Sequence, residues 1–249
     1  MEEKYMLEAY ANKFKGMANR NLEQAELIQE GRTLLSSLVS CQGWLNETLS
    51  QLVLDDEFVK SQWLSIDYNE VILYRSAQKE FSVRAYIWEA GLKYPVHDHG
   101  AWGIVGAHIN PIRERKYDLI AQDLERHHAE VKMTADKVLN PGDTTVVMPL
   151  NDGIHQMEAL DRTAVTIHIY GPPVRKGYIQ AYDLHFKQVT RMYSPYLQKK
   201  VLAIRALGSI TDSWSEAILN EALQTNSTDF IRLECTDALK ARKRLFSKD

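Results

Sequence analysis

The chain has 249 residues, 45% hydrophobic and 25% charged, enough for one large domain or two ordinary ones with a sizeable core. Its 30 Lys and Arg against 33 Asp and Glu leave a net charge of −3, which argues against a general affinity for nucleic acid or an anionic membrane surface. Apolar runs such as Thr144–Leu150 fall far short of the roughly 20 residues a membrane helix needs, and Cys41 and Cys235 form no metal, redox or disulfide framework.

The opening residues, MEEKYMLEAYANKFKG, carry acids where an export signal has an apolar stretch, so a cytoplasmic location is expected. Residues 1–64 read as a helical segment. Leu22, Ala25, Leu27, Ile28, Leu34, Leu35, Leu38 and Val39 recur at helical steps, with Gly31 the one interruption, and Leu45 to Leu54 suggest another helix.

Over residues 65–175 the period changes to two. Phe81–Trp88 alternates, His97–Ile109 follows, and Asn110-Pro111 breaks it. Arg113–Ile120 and Lys132–Val138 look like further strands. Pro141-Gly142-Asp143 reads as a turn before Thr144–Met148, and Asn151-Asp152-Gly153 as another. Gly171-Pro172-Pro173 stops a strand over Ala164–Tyr170. Short strands at this spacing predict an all-β sandwich or small barrel.

Residues 190–249 return to a helical period. Val201–Gly208 aligns with Leu233–Lys240, and Trp214 to Leu223 form a helix between them. This is similar to HEAT units or to a plain helical hairpin. Too short to bury its own apolar face, the segment is expected to pack on the β domain, a second copy or a protein partner.

Among eight histidines, His97 and His99 form an H-x-H on a strand, where residues i and i+2 share a face. Asp98 then points away. His155, just after the Gly153 turn, is the candidate third ligand. Glu158 lies on the opposite face by parity, so the ligands read as three neutral imidazoles, which suit Fe, Zn, Cu and Ni. Such a set keeps the ion's full charge and attracts an anion such as a thiolate. His127-His128 read as solvated, in a polar helix or loop; His108 and His185 have no evident partner. Along Ala164–Tyr170, alternation puts Thr166, His168 and Tyr170 on one face. That stripe faces either water or the metal cavity; in the cavity it relays a hydrogen bond to the Tyr170 phenol.

These residues resemble a known family. Gly91-Leu-Lys-Tyr-Pro-Val-His97-Asp-His99 fits the first cupin motif, and Pro141-Gly-Asp with Met148 to His155 fits the second. The combination with Thr166-Ile-His168-Ile-Tyr170-Gly-Pro-Pro173 is similar to the cysteine dioxygenase-like thiol dioxygenases, over about residues 68–173. The resemblance implies a mainly β fold, a cupin double-stranded β-helix (jelly-roll) barrel flanked by N- and C-terminal helical segments. It implies Fe(II) held by His97, His99 and His155, with a small thiol and O2 converted to a sulfinate. Thr166, His168 and Tyr170 take the place of the family's Ser–His–Tyr set. Where animal members have a cysteine crosslinked to the tyrosine, this chain has Gly103-Ile104, so no crosslink forms. Where the family has an Arg or Gln that binds the substrate carboxylate, alignment places Glu70. The substrate anchor then falls to Arg75 or to Arg84, which shares a strand face with Trp88, and a pocket-lining Glu70 favours an amine-bearing thiol. Two other readings stay open: a cupin lyase, isomerase or hydrolase using another metal, and a non-catalytic metal-binding sensor or interaction module.

Overall fold

The computed structural model describes residues 3–20, 22–62 and 67–246; the expected boundary at residues 64–65 lies outside them. Two compact units divide the chain, Met1–Met192 and Tyr193–Asp249. Among the described residues, the first carries four helices, α1 (Glu3–Ala18), α2 (Gln24–Ser40), α3 (Asn46–Leu54) and α4 (Asp56–Ser61), and then eleven strands. These are β1 (Glu70–Arg75), β2 (Ser82–Trp88), β3 (Val96–His99), β4 (Gly103–Ile109), β5 (Ile112–Asp123), β6 (His128–Leu139), β7 (Thr144–Val147), β8 (Leu150–Ala159), β9 (Ala164–Tyr170), β10 (Tyr178–Asp183) and β11 (Gln188–Tyr193).

The fold is mostly β, a jelly-roll barrel of two antiparallel sheets flanked by helices. One sheet runs β1-β2-β9-β4-β7; the other runs β10-β11-β6-β5-β8-β3 and closes through β3 onto β10. Strand β9 is central, between β2 and β4, and every residue of it is buried. Its alternation therefore sorts two buried faces. Val165, Ile167 and Ile169 join Val83, Ala85 and Ile104 in an apolar layer under α1 and α2. Tyr170 faces the barrel interior with Tyr86, Trp88 and Val105.

Helix α2 lies close on β4, and this explains Gly31. A Cβ on Gly31 would sit 2.6 Å from Ile104 Cδ1 and 2.9 Å from Phe14 Cε2. Opposite, a Cβ on Gly106 would meet Val39 and Leu35 at 3.0 and 3.1 Å. Ser36 Oγ donates to Gly142 O at 2.7 Å, and His108, unpartnered in the sequence reading, donates Nδ1–H to Val39 O in the last turn of α2 at 2.9 Å. Leu35 is fully buried here. Leu35→Ala should therefore lower unfolding free energy by about 2–5 kcal/mol, read from urea denaturation; a loss under about 1 kcal/mol would mean that α2 is not part of the cooperative core.

Several local expectations change. Asn151-Asp152-Gly153 is not a turn but part of β8. The chain reverses earlier, around Leu150, whose φ is 59°. Gly153 is glycine for close approach, since a Cβ there would meet Met148 O at 1.8 Å. For His127-His128, of the two settings expected, the loop is the one found: His127 ends the β5–β6 turn and His128 opens β6 opposite Asp123. Beyond residue 175, β10 and β11 continue the β domain where no strands were expected.

In the second unit, α5 (Pro195–Gly208), α6 (Ser213–Thr225) and α7 (Asp229–Phe246) form three helices. Gly208 lets α5 approach α7, as its Cβ would lie 3.0 Å from Ala238. Buried Glu234 on α7 receives Arg205 at 2.9 Å and the Tyr193 hydroxyl at 2.8 Å. Arg242 donates to Thr211 O at 2.8 Å and Ser215 Oγ at 2.6 Å, tying α7 to the start of α6. Among the described residues, no helix is long and apolar enough to cross a membrane.

Candidate metal centre

His97 and His155 are paired across β3 and β8, and the register slips before the next pair, His99 and Leu150. This irregularity brings three imidazoles together. Their candidate ligand atoms all lie within 4.8 Å of one another, and the ring centroids are 4.7–4.8 Å apart. Each ring turns Nδ1 to an acceptor. His97 donates to Pro95 O at 2.9 Å, His99 to Gly153 O in the irregular stretch at 3.3 Å, and His155 to Glu114 Oε1 at 2.9 Å. The Nε2 atoms remain as the ligand positions.

Burial pushes all three imidazole pKa values down, well down for His99 and His155, where neighbouring imidazoles add to the effect. The rings are therefore neutral, with lone pairs ready. Three neutral nitrogens, each oriented by an outer acceptor, fit a first-row transition ion. No carboxylate joins them. Asp98 faces the other way; its Oδ2 accepts Arg175 Nη1 at 2.7 Å, and its Oδ1 accepts the Gln180 amide at 2.7 Å together with Arg175 Nη2. Glu158 pairs with Arg115 at 2.6 Å.

Glu114 is a site residue the sequence did not disclose. It is buried on β5, with Thr145 donating to its second oxygen at 2.8 Å. Burial raises its carboxyl, while Lys116, Thr145 and Lys137 pull it back. It lies within Ile-Arg-Glu-Arg-Lys, a charge-dense run without apolar alternation, so nothing local marks it as inward-facing.

The imidazoles open onto a cavity of 120 Å³, suited to a small molecule rather than a polymer. His168 and Tyr170 of the β9 stripe line it, and Thr166 is buried on the same strand face. Trp88 Nε1–H donates to Thr166 Oγ1 at 2.8 Å, Thr166 Oγ1 meets His168 Nε2 at 2.7 Å, and His168 Nδ1 meets Tyr170 Oη at 2.9 Å. Trp88 is only a donor, and the described acceptor for the Thr166 hydroxyl proton is His168. The chain therefore runs Trp88 to Thr166 to His168 to Tyr170, leaving the Tyr170 O–H to point onward. Burial raises the Tyr170 phenol, partly offset by Arg84, whose guanidinium lies 5.2 Å from the ring centre. Gly103 permits this placement: a Cβ would lie 2.7 Å from the Tyr170 ring.

The substrate-anchor candidates separate clearly. Arg84 and Trp88 line the cavity. Glu70 does not; it lies behind Arg84, buried, with Oε1 2.5 Å from Nη1. Arg75 is exposed at the end of β1 and is not among the residues that line the cavity. The cavity instead gains Asp67, Tyr94 and Arg175. The Tyr94 hydroxyl donates to Asp67. Burial pushes the Asp67 carboxyl up to about 6, against the Tyr94 hydrogen bond and the more distant Arg84. Tyr94 lay inside the first motif and was readable as a neighbour of the ligands; Asp67 and Arg175 lay at the limits of the strands and carried no signal.

No family model matches the chain. Solved structures similar to it include the DMSP lyase DddQ from Ruegeria pomeroyi DSS-3, at 15% identity, TM-score 0.33, over 47% of this chain and 51% of that one. A cupin superfamily protein from Desulfitobacterium hafniense DCB-2 matches at 11% identity, TM-score 0.31, over 41% and 75%. Hydroquinone 1,2-dioxygenase PnpCD, in complex with Cd2+ and 4-hydroxybenzonitrile, matches at 13%, TM-score 0.33, over 46% and 70%. The match spans about half the length of the lyase. At these identities and TM-scores, the likenesses assign no activity.

Proposed function

We propose that this chain is a non-haem Fe(II) dioxygenase that converts a small thiol and O2 to the sulfinate. One observation carries the reading: three neutral imidazoles and the proton-bearing end of the Thr166–His168–Tyr170 relay face the same small cavity. The reaction balances as thiol plus O2 giving sulfinic acid; sulfur loses four electrons, O2 gains them, and both oxygens end on sulfur. Bound iron supplies the place where thiolate and O2 meet and the route for those electrons.

The chain's own residues do the rest. His97, His99 and His155 hold the ion and, being neutral, leave its charge to draw in a thiolate. Tyr170 presents its O–H to oxygen developing on the sulfur. Trp88, Tyr86 and Tyr94 wall out water. Asp67 selects the substrate. Arg84 and Arg175 already hold Glu70 and Asp98, whereas the described partner of Asp67 is the neutral Tyr94 hydroxyl. An ammonium group on the substrate completes that carboxylate, which favours cysteine or cysteamine over a plain mercapto acid.

Iron-loaded protein should consume O2 with an amine-bearing thiol in preference to 3-mercaptopropionate or mercaptosuccinate. Asp67→Asn should lower kcat/KM for the amine thiol by about 10–100-fold, the loss of one charged hydrogen bond, with little effect on 3-mercaptopropionate. Because the ammonium needs the ionised carboxylate, KM should rise as pH falls through about 6, and this limb should vanish in the variant. Silence toward every thiol despite stoichiometric iron would sink the dioxygenase reading. Tight retention of a redox-inert metal with no O2 uptake would instead favour lyase, isomerase or hydrolase chemistry.

A further inference from the structure

On the far side of Glu114 from the imidazoles lies a second cavity, of 270 Å³. Three cations line it: Arg32 from α2, Lys116 from β5 and Lys137 from β6. The one carboxylate in its lining is Glu114, and both oxygens of that group are engaged, by His155 and Thr145. Lys116 is fixed with Nζ 2.7 Å from Val146 O and 3.9 Å from Glu114 Oε2. Lys137 is paired across the ladder with Glu114. Among the described residues Arg32 reaches Thr144, through contacts of 3.4 and 3.3 Å.

This differs from three part-buried guanidiniums elsewhere in the first unit. Arg84, Arg115 and Arg175 each hold a carboxylate in a close ion pair. Among the described residues Arg32 has no carboxylate partner, and Lys137, exposed on β6, shares the charge of Glu114 with Lys116. Three like charges held around one cavity repel one another unless an anion sits between them. The Thr144 and Thr145 hydroxyls on the wall add polar contacts suited to oxygen.

We infer that this cavity is a binding site for a small oxyanion of the phosphate class, connected to the metal centre through Glu114. An anion here competes with Glu114 for Lys116 and Lys137. Relieved of those charges, the carboxylate draws more strongly on the His155 Nδ1 proton and makes that imidazole a stronger donor at Nε2. Occupancy of a site that substrate never enters thus adjusts one metal ligand.

The test is calorimetric titration of the whole chain with inorganic phosphate at constant ionic strength, with glycerol phosphate and anionic phosphatidylserine vesicles as separate arms. One saturable phosphate site is expected, weakened about tenfold in Arg32→Ala and in Lys137→Ala, each losing one charge-assisted contact. Both side chains are outside the core, and circular dichroism checks that each variant folds. In metal-free protein, phosphate should also shift the His155 ring nitrogen resonances. No saturable heat, or binding in both variants as tight as in the native chain, would overturn the site. So would binding to vesicles alone, because a headgroup fixed in a bilayer reads the charge of the surface and not this cavity. Phosphate binding without a His155 shift would overturn the link to the metal centre.

Discussion

His155→Ala should abolish stoichiometric metal uptake, and Glu114→Gln should weaken it by about 10–100-fold, the range for a lost outer partner of a ligating histidine. Removing His155 leaves two imidazoles and opens the side of the site where Glu114 lies. The Gln variant keeps size and an acceptor oxygen near Nδ1 at the place where Glu114 Oε1 now stands, 2.9 Å away. What it removes is the charge that favours the Nδ1–H tautomer and strengthens Nε2. Competition against a chromophoric chelator under anaerobic conditions measures both, with Co(II) as a second probe. Full-affinity binding of one equivalent by His155→Ala would mean that the three histidines are not the ligand set.

Tyr170→Phe should lower kcat/KM by about 10²–10⁴-fold, the usual contribution of a placed proton donor, and leave metal affinity unchanged. The ring, its packing on Gly103 and the Arg84 contact all survive in the variant; only the O–H goes. Thr166→Val tests the far end of the relay. It strips the group that meets His168 Nε2 at 2.7 Å, so His168 can take the other tautomer and turn the Tyr170 proton back toward itself. Activity should fall by less than in Tyr170→Phe, and Thr166→Ser should restore it. A Tyr170→Phe enzyme within threefold of the native rate would remove the phenol from the chemistry.

Much of this site was legible because strand parity is local. The alternation of β9 placed Thr166, His168 and Tyr170 on one face, and the pairing of β9 with both β2 and β4 decided that this face is the cavity. The same parity put Asp98 and Glu158 away from the ligands. What parity cannot give is which strands become neighbours. Glu114 meets His155 only because β5 pairs with β8, and Asp67 meets Tyr94 only through the path of the chain before β1. Gly153 misled for a related reason: glycine signals a turn in sequence, but here it answers a backbone passing close by. Gly31 was visible as a break in an apolar stripe, and its cause, Ile104 and Phe14 against it, lies in tertiary packing.

Asp98 stands between two ligands on a four-residue strand, and its carboxylate holds Arg175 on the segment that rims the cavity. The amides of Val174 and Arg175 also bind Gly100 O, at 2.8 and 3.1 Å, directly after the second ligand. Rim and ligand strand are thus one mechanical piece. Swinging the rim outward pulls on the same backbone that carries His97 and His99, so the mouth cannot gape while the imidazoles keep their places. Opening the mouth and setting the imidazoles are therefore linked through Asp98, Arg175 and Gly100, and a change at any of the three is felt at both.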